Sequence, residues 1–200
     1  MAINIDVDYR KQGYQQIAGL DEAGRGAWAG PLIAAAVVMP VNHYIDGVKD
    51  SKKLSSRQRL WLYYEIINQA TCWSVACVTP AEIDQLGVHQ ANYLALSYAL
   101  THLECVPDLA LVDGFLIPHY LPVQAVIGGD NLSYTIAAAS IIAKVTRDRL
   151  LSMLHVQEPR YGFDQHKGYG TARHQQSLEE FGSTVWHRRS FAPVQRLLYN

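Results

Sequence analysis

Short apolar runs alternate with polar segments along the chain, and these runs predict β-strands. Leu32 to Met39 is continuously apolar, as expected for a strand that is covered on both faces, and Pro40 ends it. The same pattern predicts four more strands, at Ile17 to Asp21, Cys72 to Thr79, Leu109 to Asp113 and Val123 to Ile127.

The segments between these strands have the patterning typical of helices. A helix is predicted from Arg57 to Ala70, and Ser55 with Gln58 has the spacing of a capping box at its start. Small residues early in the longest helical segment would let its axis approach a sheet closely. The other helices are expected just after Pro80, at roughly Gln90 to Glu104, from Asn131 to about Val156, and near Thr171 to Phe181.

Consecutive strands followed by strand–helix alternation favour an α/β fold, with a mixed sheet and helices on its faces. The 200 residues suit one well-cored domain, and no repeat, low-complexity run or linker interrupts them. We therefore expect a single domain over residues 1–200, with a core at about 15–155 and a basic helical portion at about 156–200.

The composition, with 49% hydrophobic and 18% charged residues, is that of an ordinary globular protein. No run reaches the ~18 apolar residues needed to span a bilayer. The opening MAINIDVDYRKQG lacks the apolar stretch of a secretory signal. Cys72, Cys77 and Cys105 form no CxxC pair, and the odd spacing of the first two puts them on opposite faces of a strand. Buried free thiols and a cytoplasmic location are the expectations.

Charge is distributed unevenly along the chain, although the net charge is only −1. Residues 1–143 carry 8 Lys/Arg against 13 Asp/Glu, whereas residues 144–200 carry 9 against 5, together with four histidines. A basic C-terminal third joined to an acid-rich body suits a protein that holds phosphates near a carboxylate site. A solvated helical surface would give the same pattern.

Three acidic residues follow apolar strands: Asp21 after IAGL, Asp113 after LALV and Asp130 after VIGG. Catalytic groups of α/β sheets gather where strands end in loops, and clustered carboxylates repel one another unless a cation intervenes. Mg²⁺ and Mn²⁺ prefer oxygen ligands, and a pair of such ions can hold the attacking and leaving oxygens of a phosphodiester. These acids therefore indicate metal-assisted phosphoryl transfer, although a single Asp at the end of a strand is commonplace.

Two other acids need separate interpretation. Glu22 can share a site with Asp21 only if the strand ends there, since neighbouring strand residues face opposite sides; the alternative is a solvated turn. Asp148 lies inside the long predicted helix, one turn after Lys144, and is interpreted as a structural partner of that lysine. The histidines show no HExxH-like zinc arrangement.

Several segments resemble the ribonuclease HII family, in that family's order, over roughly residues 15 to 196. They are GLDEAGRGAWAGPLIAAAVV, DSKKLS, EIDQLG, LVDG, GGD, IAAASIIAKVTRD, YGFDQHKGYGTARH and HRRSFAPV. The resemblance implies a ribonuclease-H-like fold: a mixed five-stranded sheet flanked by helices, with a small helical C-terminal portion. It also implies that Asp21, Glu22, Asp113 and Asp130 are the catalytic, metal-binding acids and that Asp148 lies outside the site.

The resemblance further implies how a substrate would be read. Gly24, Arg25 and Gly26 would let backbone groups approach the ribose, and Tyr169 would stack on the next, deoxy, sugar. Ser51, Lys52, Lys53 and Lys167 would contact phosphates, although lysines in loops are usually just solvated. Ala27-Trp28 and Gly87-Val88 depart from the family's usual Pro-Leu and Asn-Ile, and the first change could alter the loop beside the substrate.

The expected activity is two-metal hydrolysis, with Mn²⁺ or Mg²⁺, of the RNA strand of RNA–DNA hybrids and 5′ of ribonucleotides embedded in duplex DNA. The expected partners are those nucleic acids; a monomer is expected, no membrane, and a sliding clamp is possible but unsupported. The alternatives are a junction resolvase or strand transferase of the same fold, a non-catalytic hybrid-binding module, and a small-molecule phosphatase. The first rival would not need a 2′-hydroxyl, the second should lack an acid, and the third would not need the basic C-terminal third.

Overall fold

A five-stranded mixed sheet forms the centre of the molecule, which is described here by a computed structural model covering residues 4–41, 43–48 and 51–198. The strands lie in the order β3-β2-β1-β4-β5. Pairing is antiparallel between β1 and β2 and between β2 and β3, and parallel between β1 and β4 and between β4 and β5. The fold expected from the sequence is confirmed. The strands are β1 (Ile17–Ala23), β2 (Leu32–Val38), β3 (Cys72–Val78), β4 (Leu109–Asp113) and β5 (Val123–Val126).

The helices lie on both faces of this sheet and in the C-terminal portion. They are α1 (Ile5–Lys11), α2 (Ser56–Gln69), α3 (Pro80–Leu86), α4 (Val88–Thr101), α5 (Gly129–Leu132), α6 (Tyr134–Gln157), α7 (Phe163–His166), α8 (Ala172–Phe181) and α9 (Ala192–Leu198), with 3-10 turns at Ser51–Lys53 and Pro159–Tyr161.

Local signals placed most of these elements correctly. The capping box at the start of α2 is present, since Ser55 and Gln58 exchange hydrogen bonds. The long helix begins at Tyr134 rather than near Asn131, because Ser133 caps it and α5 forms separately before it. The sequence pattern did not predict α1. Its buried Asp6 accepts hydrogen bonds from the Ser133 hydroxyl and the Thr135 amide, so α1 is fixed to the start of α6.

One face of the sheet packs against α4 and the other against α2 and α6. The small residues at the start of α6 bring it close to β1, as expected. At Gly19 the approach is tightest, because a Cβ there would lie 2.0 Å from the backbone carbonyl carbon of Thr135. Glycine at this position is therefore what lets α6 lie against the strand that carries Asp21.

The cysteines differ from the expectation of buried free thiols. Cys72 and Cys105 form a disulfide, with their Cα atoms 6.1 Å apart, and Cys77 is a free, exposed thiol. The alternation of faces was right, since Cys72 is buried and Cys77 lies on the outer face of the edge strand β3. Spacing along the chain could not reveal the bridge, because packing of α4 on β3 brings the loop that carries Cys105 back to Cys72.

The C-terminal elements pack around a separate small core that includes Leu151 and Leu154 of α6, Tyr161, Phe163 and Leu178. Ala29 joins this core from the loop between β1 and β2, which links the C-terminal portion to the edge of the sheet. Of the helices that the structure describes, none is long and apolar enough to cross a membrane.

Candidate active site

Asp21 and Asp113 stand side by side where two inner strands part. The parallel pairing of β1 with β4 stops at Leu20 opposite Val112, so the next residue on each strand is one of the two aspartates. Asp113 ends β4, as predicted. Asp21 does not end its strand as the sequence suggested, because β1 continues to Ala23 in its pairing with β2.

Glu22 shares the site with Asp21 although the strand continues through it. Both side chains, with Asp113, line one cavity of about 410 Å³. The sequence analysis required the strand to end at this point for Glu22 to share a site with Asp21, and that requirement was wrong. The cavity opens where β1 has lost its β4 neighbour but retains β2, and this gap gives neighbouring residues of one strand access to the same space.

Asp130 does not follow a strand directly, contrary to the sequence-based expectation. It lies in α5, after β5 has ended at Val126. Its buried carboxylate accepts a hydrogen bond from the Asn131 side-chain amide at 2.8 Å and lies 3.4 Å from the Lys52 ammonium. The residues that line the cavity do not include Asp130, although Asp113 of β4 is bound to the same short helix through the Gly129 amide at 2.7 Å.

Burial and mutual repulsion make the carboxylates of the cavity reluctant to ionise together. Burial raises the pKa of Asp21 well above its ordinary value, and the charges of Glu22 and Asp113 raise it further. The Ser140 hydroxyl, which hydrogen-bonds Asp21, offsets part of this increase. Burial likewise raises the pKa of Glu22 to about 7; Arg25 lowers it and Asp113 raises it.

The residues of this cavity fit a hard divalent cation by their chemistry. Those that the structure describes offer carboxylate oxygens and no Cys or His, and among these described residues Glu22 Oε2 is buried without a hydrogen-bond partner. Within the described part of the chain, no three Asp, Glu, His or Cys side chains are arranged closely enough to hold an ion as they stand. Bringing Asp21, Glu22 and Asp113 onto an ion therefore requires side-chain adjustment, and an ion would relieve the repulsion that raises their pKa values.

The Gly24-Arg25-Gly26 loop and Tyr169 line the same cavity as these carboxylates. Gly24 has φ +93°, and a Cβ there would lie 1.9 Å from the Arg147 side chain, so the close approach requires glycine. The Arg25 guanidinium lies over the Phe115 ring, 4.5 Å from its centre. The Tyr169 ring is 39% exposed and faces the cations of Arg147 and Lys144, at 5.4 and 5.9 Å.

The four expected phosphate contacts divide into different environments. Ser51 lines the cavity but is buried, and its hydroxyl lies 2.8 Å from that of Ser140. Lys52 lines the cavity with its side chain 77% exposed. Lys53 belongs to the same 3-10 turn, and its side chain lies outside the described part of the structure.

Lys167 does not line the carboxylate cavity. It borders a separate groove of about 510 Å³ between α2 and α6, where its ammonium donates to the Ser152 hydroxyl at 2.8 Å. Asp148 borders the same groove and pairs with Lys144 at 2.7 Å, which confirms the predicted partnership. Lys144, which the sequence indicated only as the partner of Asp148, does line the carboxylate cavity.

Two buried arginines support the loop between β1 and β2, and the charge count gave no hint of this role. Arg147 donates to the carbonyls of Ala29, Pro31 and Lys167 at 2.8–3.0 Å. Arg188 donates to the carbonyls of Gly30 and Arg25 at 2.9–3.1 Å. Both are fully buried, and burial lowers the pKa of Arg188 to about 9. Part of the positive charge of the C-terminal third therefore holds loop backbone inside the molecule.

Three carboxylates gathered where inner strands of a mixed five-stranded sheet separate define the class of ribonuclease-H-like proteins. A family model described as ribonuclease HII matches residues 18–194. The chain therefore belongs to the ribonuclease HII family and is a ribonuclease H, an endonuclease of a family that acts on RNA–DNA hybrids and depends on divalent metal.

Individual relatives agree with this assignment. Ribonuclease HII of Chlamydia muridarum is 48% identical over 187 residues, which cover 92% of this chain and 86% of the relative. The crystal structure of ribonuclease H2 from Pyrococcus horikoshii OT3 superposes with a TM-score of 0.81 at 30% identity, covering 92% of this chain and 100% of the other. The ribonuclease HII in a PCNA complex from Archaeoglobus fulgidus superposes at 0.72 and 29% identity, covering 86% and 93%.

Proposed function

We propose that the protein hydrolyses the RNA strand of RNA–DNA hybrids and cuts 5′ of ribonucleotides embedded in duplex DNA, leaving 3′-hydroxyl and 5′-phosphate ends. The observation that carries the proposal is the composition of one cavity: Asp21, Glu22 and Asp113 line it together with the Gly24–Gly26 loop and Tyr169. A carboxylate site and a candidate ribose-reading surface therefore share the same space. Such an activity would serve ribonucleotide removal during DNA replication and repair.

The carboxylates are proposed to hold two divalent ions, Mg²⁺ or Mn²⁺. Asp21, the most buried of the three cavity acids, would lie nearest to both ions, with Glu22 and Asp113 beside it. Asp130 would join as the fourth ligand, which requires its contact with Lys52 to give way. When bound, such ions supply a water of lowered pKa for attack on phosphorus and stabilise the departing 3′ oxygen.

Selection of the ribonucleotide is proposed to reside in the loop and the tyrosine that line the same cavity. Gly24 and Gly26 present backbone amides and carbonyls without side chains, so these groups can approach a 2′-hydroxyl directly. The Tyr169 ring would stack on the sugar that follows the cut. Lys52, Lys53 and Ser51 would position the adjacent phosphates, and Lys144 joins them because it lines the cavity.

The proposed assembly is a monomer bound to its duplex. The Archaeoglobus fulgidus relative was solved as a complex with PCNA. A sliding clamp is a possible partner for this chain by that likeness, and a binding assay with purified clamp would test it directly.

The activity is tested on three matched duplexes: one with a single ribonucleotide, one all-DNA, and one RNA–DNA hybrid, each with Mg²⁺ or Mn²⁺. Cleavage 5′ of the ribonucleotide, with the all-DNA duplex intact, is the expected result. Cutting of the all-DNA duplex as well would contradict ribose selection and favour a general nuclease of the same fold. Binding without cleavage of any duplex would contradict the proposed chemistry.

The metal site is tested with Asp21→Asn. Cleavage should fall by roughly a thousandfold or more, because the residue nearest the reacting groups is lost while the fold remains. Calorimetric titration with Mn²⁺ should show weaker binding by the same variant, which gives a readout independent of activity. Asp8→Asn, on the exposed face of α1, is the matched control. Unchanged rates in Asp21→Asn would refute the assignment of this residue.

A further inference from the structure

Tyr169 lies on a turn whose backbone is hydrogen-bonded to buried or partly buried histidines. His174 of α8 and His187, in the segment after α8, are 0% and 1% exposed, and their Nε2 atoms lie 3.1 Å apart. His174 Nδ1 lies 3.0 Å from the carbonyl oxygen of Tyr169. The His166 ring of α7 stacks on His174 at 4.5 Å, and its Nδ1 accepts from the Gly168 amide at 3.2 Å.

The donors around this group fix where the protons lie. The Thr184 amide donates to His187 Nδ1 at 2.9 Å, so that nitrogen carries no proton. A neutral His187 then carries its proton on Nε2 and donates it to His174 Nε2. His174 in turn carries its proton on Nδ1, where it donates to the Tyr169 carbonyl. Burial favours these neutral forms, lowering the pKa of His174 to about 4 and of His187 to about 3.

We propose that His174 and His187 are positioning residues that orient Tyr169 through this directional hydrogen-bond chain and thereby set the discrimination between deoxyribose and ribose after the cut. The inference rests on the proposed role of Tyr169 in contacting that sugar. Neither histidine lines the cavity, so each acts through the turn and not on the substrate.

The turn that carries Tyr169 is in direct contact with the loop that follows Gly26, so the orientation of its backbone affects both segments. The Gly168 carbonyl accepts from the Trp28 and Ala29 amides at 2.8 and 3.1 Å, which joins the turn to the loop that follows Gly26. A Cβ on Gly170 would lie 2.1 Å from the Trp28 ring, so the turn also lies directly against that side chain. Rotation of the Tyr169 carbonyl would therefore displace the tyrosine relative to the ribose-reading loop.

A purely structural interpretation is that the histidines fill the small C-terminal core, since Phe163 and Tyr161 pack around them. That interpretation requires only volume and apolar character. The observed chain instead uses every ring nitrogen of both residues and ends on the carbonyl of a residue in the cavity. The two interpretations therefore predict different results for substitutions that keep volume but change hydrogen bonding.

The test compares kcat/KM on a duplex with one embedded ribonucleotide, where the next sugar is deoxyribose, with kcat/KM on a full RNA–DNA hybrid. The selectivity ratio is the first value divided by the second. His174→Leu removes the hydrogen bond to Tyr169 and should lower this ratio by roughly tenfold, the effect of about one hydrogen bond. His174→Asn retains an amide donor near the Nδ1 position and should restore most of the ratio. His102→Asn, on an exposed histidine after α4, is the control variant.

A double-mutant cycle shows whether the histidine acts through the tyrosine. Tyr169→Ala should lower the ratio by itself, and adding His174→Leu should lower it no further. If His174→Leu does not fold, His187→Asn takes its place, because it retains the acceptor for the Thr184 amide and loses only the donor to His174.

The failures are distinguishable. A wild-type enzyme that does not cut the ribonucleotide duplex overturns the proposed function and this inference with it. A Tyr169→Ala ratio equal to wild type overturns the proposed role of Tyr169, and this inference with that role, but leaves the cleavage activity standing. An effect of Tyr169→Ala without one of His174→Leu, or additive effects in the cycle, overturns the positioning role alone.

Discussion

Stability at mildly acidic pH should depend on the two buried histidines that hold the Tyr169 turn. Their pKa values, about 4 for His174 and about 3 for His187, lie below the ordinary 6.5 because burial penalises the charged rings. Between pH 6.5 and about 4 the unfolded chain therefore binds protons that the folded chain does not. Stability is complete above pH 6.5 and falls as the pH decreases through this window.

The magnitude follows from linkage. At pH 5 each unfolded imidazole is mostly protonated whereas the folded one is mostly neutral, which costs about 2 kcal/mol per histidine relative to pH 7. The pair would therefore cost about 4 kcal/mol, a large fraction of the roughly 5–15 kcal/mol by which domains are stable. Glu22 changes the free energy of unfolding in the opposite direction. Because its pKa is about 7, the folded chain takes up this proton before the unfolded chain does as the pH falls, and stability therefore rises. Wild-type stability alone would thus mix the two effects.

A comparison of wild type with the double variant His174→Gln/His187→Gln separates them, since Glu22 contributes equally to both proteins. Urea unfolding in EDTA at pH 7 and pH 5 gives the loss of unfolding free energy for each. Wild type should lose about 4 kcal/mol more than the variant over this interval. Equal losses, or histidine NMR signals from these rings that titrate near pH 6.5, would refute the assignment of buried neutral rings.

Three further predictions concern the cavity and the segments that support it. Glu22→Gln should stabilise the metal-free protein by about 3 kcal/mol at pH 8, because the raised pKa of Glu22 is lost, and thermal melts should show this gain fading towards pH 4.5. Gly168→Ala should cost more than about 2 kcal/mol in urea unfolding, because its φ is +80° and the new Cβ would lie 2.3 Å from the Ala29 carbonyl oxygen; Gly182→Ala, with positive φ but open space, is the control and should cost less. Arg188→Lys should lower stability by roughly 2 kcal/mol and reduce cleavage, since a compact ammonium cannot reproduce the planar fork that donates to the Gly30 and Arg25 carbonyls together. Unchanged melting and rates would contradict that role.

Patterns confined to one strand or helix turn were predictable from the sequence. The bounds of β4, the capping box of α2 and the pairing of Lys144 with Asp148 depend on residues a few positions apart, and each is confirmed. The C-terminal end of β1 was not predictable in this way, although its start at Ile17 was. Asp21 lies inside the strand because β1 continues to pair with β2 beyond it. This pairing depends on tertiary structure and not on the local sequence of β1.

Contacts between residues that are distant in the sequence could not be predicted from local patterns. The bridge between Cys72 and Cys105 depends on how α4 packs against β3, and the sequence therefore favoured free thiols. The sequence pattern placed Asp130 at the end of a strand, but it lies in α5, beside Lys52 and outside the cavity lining. Family resemblance identified the candidate residues, whereas their environments came only from the fold.

The C-terminal third connects these observations with the proposed selectivity. Its basic character suggested phosphate binding, yet Arg147 and Arg188 are fully buried and donate to backbone carbonyls around the Gly24–Gly26 loop. The histidines of the same region hold the turn that carries Tyr169. The sheet therefore supplies the carboxylates, and the C-terminal portion supplies the rigidity of the two segments proposed to read the sugar. Changes in that portion should consequently alter substrate preference more than the chemistry of cleavage.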